Sequence, residues 1–338
     1  MKHVRALLLG GSTIAAQVDA SGKPLGRADL AEYIRSMHEF DGNIEISIVT
    51  REDIAAGYGM QIPDILETVR EVRKAIDEDQ ADGVVIVMGT DCMEEAAFAF
   101  ETLLQTDVPL VVTGAMRVAT ARGAEGPANL LNAIRAAASD ALSGLGVVVI
   151  LNEWIHSALY VQKLHPSNCA AFGSEFPIGM VAEGDVSIRT RPIRRKMPWI
   201  NIKTDVKDVL LQNCYLGMNA KVFDHIEEDG YAGIVVGGTG GCDIAKPVFE
   251  KLDALHEKYG DKLPIVVGTR IGKGEPFMVT YGDYKGSPSY FDKAGYLKTG
   301  QLDCLKARML LILLLMSECT PEQIRESFHM YSRTRLGF

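Results

Sequence analysis

Residues 83–91 read Gly-Val-Val-Ile-Val-Met-Gly-Thr-Asp. A strand with one wet face alternates apolar and polar side chains. An unbroken apolar run is what a strand covered on both faces requires, as in a parallel sheet. The same pattern recurs at residues 4–10, 109–114, 144–151, 233–238 and 263–268, each a short run of Val, Ile or Leu that ends in or near glycine. Between these runs, apolar residues fall at helical spacing over 61–77, 94–105, 126–142, 245–259 and 302–317. This alternation predicts an α/β protein built on mainly parallel sheets.

The chain has 338 residues, which at about 150 residues per domain suggests about two α/β domains. A boundary is expected near residues 187–206. There Arg189, Arg191, Arg194, Arg195 and Lys196 accompany two prolines without any core periodicity, the mark of a hairpin followed by a linker. The expected division is an N-terminal catalytic domain over 1–190, a linker over 191–206 and a C-terminal α/β domain over 207–338. No internal repeat is visible. Residues 331–338 read as a short basic tail, to which no role is assigned.

Thirty-five Lys and Arg against 44 Asp and Glu give a net charge of −9. A field of that sign repels nucleic acid and anionic membranes, so neither is expected as a partner, the basic cluster notwithstanding. A hydrophobic fraction of 47% with 23% charged residues excludes global disorder. The six cysteines form no Cys-x-x-Cys pair and are too sparse for a disulfide framework, so they read as reduced thiols of a cytoplasmic protein. Residues 1–11 are basic and then briefly apolar, but the apolar stretch is too short for a signal peptide and no Ala-x-Ala follows. The longest apolar run, 309–316, falls far below the roughly 20 residues of a membrane helix.

In open parallel sheets, sites form at the carboxyl ends of the strands. The residues that fall there are Gly10-Gly11-Ser12-Thr13, Met88-Gly89-Thr90-Asp91 and Thr113-Gly114. Any one of these threonines could serve as a turn or a helix cap. Three hydroxyls in equivalent positions, beside glycines that admit a ligand to the backbone, point to a hydroxyl-based site. A Gly-x-Gly-x-x-Gly fingerprint, a Gly-Lys-Thr phosphate loop and a Gly-x-Ser-x-Gly elbow are all missing. The seven histidines lack metal-ligand spacing, with His156 and His165 isolated, so neither metal nor cofactor is expected.

These residues resemble the bacterial-type L-asparaginase family. Gly11-Ser12-Thr13-Ile14-Ala15 is similar to that family's first signature, and Gly89-Thr90-Asp91 followed by Glu94-Glu95 to its second. Thr113-Gly114-Ala115-Met116-Arg117 and Gly126-Pro127-Ala128-Asn129-Leu130 match the stretch beyond, while residues 237–243 and Lys306-Ala307-Arg308 resemble its C-terminal domain. The resemblance implies that Thr13 attacks an amide carbon to give an acyl-enzyme that water then hydrolyses. It implies a second group of Thr90, Asp91 and Lys163, in which the lysine accepts a proton from the threonine or its bound water. It also implies no cofactor, and a homodimer or homotetramer with sites at subunit contacts.

The chain departs from the family in several places. The family carries a tyrosine on the loop after its first signature. Here Lys23-Pro24 stands at that point, and no tyrosine occurs between Thr13 and Tyr33. Met88 and Cys92 replace the histidine and the last threonine of the second signature. Near Thr50-Arg51-Glu52-Asp53, where the family holds the substrate's amino-acid head group, an arginine and an extra carboxylate intervene. Arg51 and Glu52 are therefore expected to bind substrate, with Lys23 and Asp243 as further candidates. Asp243 stands where the family offers an asparagine to a neighbouring subunit. The expectation is hydrolysis of a small amide by a threonine nucleophile, with L-asparagine the first candidate. The alternatives are another amide, lactam or cyclic imide, and a catalytically weak amide-binding regulator.

Overall fold

The computed structural model describes residues 1–37, 40, 42–276 and 284–332. The basic tail therefore lies outside the described residues from position 333 onward. Chain contacts divide the protein into two compact units, Met1–Lys196 and Met197–Phe338. Residues 191–206, expected as a linker, are shared between them. Arg191 donates to the carbonyls of Ser143 and Ala141, and Arg194 pairs with Glu101 and Asp107, all in the first unit. The amides of Lys203 and Thr204 donate to the Met316 carbonyl in the second.

The first unit begins with β1 (Lys2–Leu9), a short hairpin of β2 (Ala16–Val18) and β3 (Pro24–Arg27), α1 (Leu30–Arg35) and β4 (Ile44–Arg51). It continues through α2 (Ile62–Asp77), β5 (Gly83–Val87), α3 (Met93–Leu104), β6 (Leu110–Thr113), α4 (Gly126–Ala137) and β7 (Val147–Leu151). Short strands follow: β8 (Trp154–Ser157), β9 (Gln162–Lys163), β10 (Phe172–Gly173), β11 (Gly179–Ala182) and β12 (Asp185–Ile188). The main sheet runs β12-β11-β8-β7-β6-β5-β1-β4. From β4 to β7 all pairs are parallel, and β8, β11 and β12 extend the sheet antiparallel.

The unbroken apolar runs occupy the covered strands, and all five residues of β5 are buried. The edge strand β4 reads Ile-Glu-Ile-Ser-Ile-Val-Thr-Arg; Ile44, Ile46 and Ile48 pack on the core, while Glu45 is exposed and the half-buried Ser47 is hydrogen-bonded to His3 and Arg5 of β1. Such alternation belongs to a strand with one covered face, so β4 escapes a search for continuous apolar runs. Helix α2 buries Ile65, Val69 and Val72 on one face and opens with a reciprocal Gln61–Asp64 cap. The helix expected over 126–142 ends at Ala137. The Ser139 hydroxyl accepts from the Ala141 amide and starts a separate 3₁₀ turn instead. The hairpin expected near 187–206 lies just before it, between β11 and β12. Its turn residues Glu183 and Gly184 both have positive φ, as a two-residue hairpin connection demands.

The second unit contains β13 (Val209–Asn213), β14 (Gly233–Gly238), α5 (Lys246–Tyr259), β15 (Ile265–Thr269), α6 (Pro288–Lys293), β16 (Leu297–Lys298), α7 (Cys304–Met316) and α8 (Pro321–His329). Its four strands are parallel in the order β13-β14-β15-β16. Helix α7 is buried on nearly every side, which its apolar composition requires. Its Lys306 is fully buried and pairs at 2.7 Å with the carboxylate of Asp303, the helix's own N-cap. Among the described residues, no helix is long and apolar enough to cross a membrane.

His156 on β8 is 2% exposed. Its Nδ1 lies 2.8 Å from Ser174 Oγ, and burial lowers its pKa to about 4. An unfolded histidine titrates near 6.5, so between these values the unfolded chain binds more protons and stability falls as pH drops. Going from about pH 7 to about pH 5, the wild type should lose about 2 kcal/mol of unfolding free energy through this residue. His156→Gln should lack that increment when urea midpoints are compared at the two pH values. Identical pH dependence in both proteins would remove His156 as the cause.

Candidate active site

Parallel pairing aligns the carboxyl ends of β1, β4, β5 and β6, so the loops that follow them gather at one edge of the sheet. The chain passes from β1 outward to β4 and then returns to β5 on the other side of β1. A reversal of this kind opens a crevice at the strand ends, where open α/β sheets bind ligands.

Thr13 opens a 3₁₀ turn, Thr13–Ala15, directly after β1. The buried Ser12 hydroxyl donates to the Met88 carbonyl at 3.1 Å and ties this turn to the end of β5. Arg27 Nη2 reaches back from β3 to the Ser12 carbonyl at 3.1 Å. The Thr13 hydroxyl makes no hydrogen bond among the described residues. Thr90, two residues beyond Met88, is 5% exposed.

Lys163 comes from β9, some 70 residues later in the chain. Its Nζ donates to Thr90 Oγ1 at 2.9 Å and to Asp91 Oδ1 at 3.2 Å. The lysine side chain is 15% exposed and that of Asp91 54%. The Lys163 amide donates at 2.7 Å to Glu94 Oε2 in the first turn of α3, and β10 pairs with the strand from its other edge. The ammonium thus has one face toward a buried hydroxyl and another toward a half-exposed carboxylate. A hydroxyl held against an amine can exchange its proton with it. This joins Thr90, Asp91 and Lys163 in a single hydrogen-bonded group.

The other predicted residues are distributed differently. All three guanidinium nitrogens of Arg51 engage carboxylates, those of Asp53, Glu67 and Glu71. Its fork is thereby occupied by the protein's own acids, while Glu52 is exposed. The part of this loop that reaches Asp91 is Gly57. A β-carbon added there would lie 3.4 Å from Asp91 Oδ2, and Gly57 has φ +87°. A β-carbon on Gly89 would come within 2.8 Å of the Gly57 Cα, so the two backbones meet at a point only glycines allow. The Cys92 thiol donates to the Gly57 carbonyl at 2.6 Å, and burial pushes its pKa up to about 11, so it stays protonated. Lys23 sits in the exposed turn of the β2–β3 hairpin, where its amide donates to Asp19 Oδ1 at 3.0 Å. Asp243, in the second unit, accepts a hydrogen bond from the Tyr284 hydroxyl. Thr113 is fully buried and donates to the Ile150 carbonyl at 2.7 Å, a tie between neighbouring strands.

Two supporting residues went without a role in the sequence reading. Glu94 holds the lysine's backbone. Asn129, buried on α4, donates to the Gly114 carbonyl and accepts from the Asn152 amide, fixing the loops after β6 and β7. The available signal was Asn129 itself, an amide amid Ala128, Leu130 and Leu131, because a polar side chain on a buried helix face must be hydrogen-bonded. Among the described residues, no cluster of His, Cys, Asp and Glu could hold a metal ion.

Comparison with known proteins identifies the family. Residues 4–194 match the asparaginase N-terminal family, and residues 208–328 the glutaminase/asparaginase C-terminal domain. An L-asparaginase of Bacillus licheniformis is 28% identical over 96% of this chain and 98% of its own length. A glutaminase-asparaginase of Acinetobacter glutaminasificans is 30% identical over 79% of this chain and 80% of its own. The crystal structure of a probable cytoplasmic L-asparaginase from Campylobacter jejuni is 29% identical, with a TM-score of 0.82 over 98% of this chain and all of that one. Matched through both of its units in order, the chain belongs to the asparaginase family of amide hydrolases.

Proposed function

We propose that this protein hydrolyses the C–N bond of a small amide, with L-asparagine the first candidate. The observation that carries the reading is the Lys163 ammonium 2.9 Å from the Thr90 hydroxyl and 3.2 Å from the Asp91 carboxylate. The family membership and the L-asparaginase names of its relatives support the same reading.

Thr13 Oγ attacks the amide carbon; the Thr13 proton passes to the amide nitrogen, the C–N bond breaks, ammonia leaves, and an ester to Thr13 remains. Water attacks that ester; its proton passes through Thr90 to Lys163, acting at this step as the neutral amine, and returns to the Thr13 oxygen as the acid is freed. Asp91 orients the ammonium and meets a cationic substrate group. Arg51 anchors the 52–60 loop through its three carboxylate partners. We read the protein as a cytoplasmic homo-oligomer, with Asp243 and Lys23 as candidate substrate contacts. Six free thiols and the likeness to a probable cytoplasmic L-asparaginase of Campylobacter jejuni support the cytoplasmic assignment.

A second reading, hydrolysis of a different amide, lactam or cyclic imide, is favoured by the loop beside Asp91. It presents Gly57 and then Tyr58, a residue that is 93% exposed. An aromatic face there suits a substrate bulkier than an amino-acid head group.

Purified protein should release ammonia from L-asparagine, and Thr13→Ala should reduce the release to background. Ammonia from simple amides alone, or ring opening of succinimide-type imides and lactams, which frees no ammonia and is read by mass spectrometry of the product, would select the second reading. No product from any of them would contradict both. Lys163→Met keeps much of the side-chain volume and removes the amine, so kcat should fall by about 10²–10⁴ with unfolding temperature little changed. Near wild-type turnover in that variant would exclude the lysine as the proton acceptor.

A further inference from the structure

The first unit contains a cavity of about 280 Å³ lined by none of Thr13, Thr90, Asp91 and Lys163. It is bounded by the turn after β1, by the span from β3 into α1, by the loop after β6 and by the first turns of α4. Its volume is near the lower edge of ligand-binding pockets.

Its lining has two characters. Ile14, Leu30 and Leu130 form an apolar wall, whereas Gln17, Tyr33 and Arg117 are polar. Arg117 donates through Nη1 to the Gly123 carbonyl at 2.6 Å. Its other guanidinium donors, like the Gln17 side-chain amide, have no protein partner among the described residues. A guanidinium with open donors selects a carboxylate, which it can meet with two hydrogen bonds. The apolar wall selects a body that gains by leaving water.

We infer that this cavity is a second binding site, for a small monocarboxylate with an aromatic or branched aliphatic body. Its occupant touches the nucleophile's own turn. Ile14 follows Thr13 within one 3₁₀ turn, and the Ala28 amide donates to the Ala15 carbonyl at 2.7 Å, so hairpin and turn are hydrogen-bonded together. Occupancy should therefore change kcat for the amide and leave KM unaltered. That consequence rests on Thr13 as the nucleophile, whereas the binding does not.

Phenylacetate, with 2-phenylethanol as its neutral counterpart, is the probe, and isothermal titration calorimetry of the full chain is the readout. Saturable one-to-one binding of phenylacetate is expected, with the alcohol about tenfold weaker. Arg117→Gln should bring the two affinities together. Ala124→Phe, which fills the cavity, should abolish binding of both, with circular dichroism and unfolding temperature reporting whether the fold is retained. Should Ala124→Phe fail to fold, Arg117→Gln alone decides. No saturable binding at millimolar phenylacetate, or affinities unchanged in Arg117→Gln, would overturn the site whether or not the protein releases ammonia.

Discussion

The ammonium of Lys163, shared between the Thr90 hydroxyl and the Asp91 carboxylate, is the interaction around which the first unit is arranged. The lysine side chain is only 15% exposed. In such surroundings its attraction to the carboxylate and its bond to the hydroxyl are both stronger than they would be in bulk water. The arrangement also has to be built from distant parts of the chain. Thr90 and Asp91 come with β5, while Lys163 arrives on a two-residue strand fixed by Glu94 on one side and β10 on the other. Loss of the Glu94 contact would leave the lysine's backbone held from the β10 side alone.

The sheet supplies the second constraint. Parallel strands in register deliver every following loop to one edge, and the chain reversal around β1 leaves room between those loops. Ser12 and Asn129 then tie the loops to one another through backbone carbonyls. The Gly57–Gly89 contact brings a third loop against Asp91. These are short-range ties of modest individual strength, about 1 kcal/mol each by typical measure. Together they fix where the hydroxyls of Thr13 and Thr90 stand relative to the sheet.

Much of this was legible in the residues alone. Continuous Val and Ile runs ending in glycine marked the covered strands, and Thr13, Thr90 and Asp91 follow directly from their carboxyl ends. β4 was not legible by the same rule, because an edge strand with one covered face alternates. Lys163 came only from family resemblance, since no local pattern tells a lysine that reaches a buried hydroxyl from one that reaches solvent. Arg51 closes β4, but its guanidinium is drawn to Glu67 and Glu71 one helix away, and in the loop that follows Gly57 is the residue at Asp91. Contacts that depend on chain return, such as α2 folding back beside β4, have no signature in linear spacing. Thr113 shows the converse, a residue at the right end of a strand whose hydroxyl is consumed by the neighbouring strand.

In the proposed mechanism Thr13 carries the acyl group while Thr90 and Lys163 move protons. Protein quenched in acid during turnover of a slowly hydrolysed amide can be digested and mapped by mass spectrometry. An acyl adduct is expected on the peptide that contains Thr13, enriched in Lys163→Met and absent in Thr13→Ala. An adduct on Thr90, or steady turnover with no adduct in any of the three proteins, would contradict it.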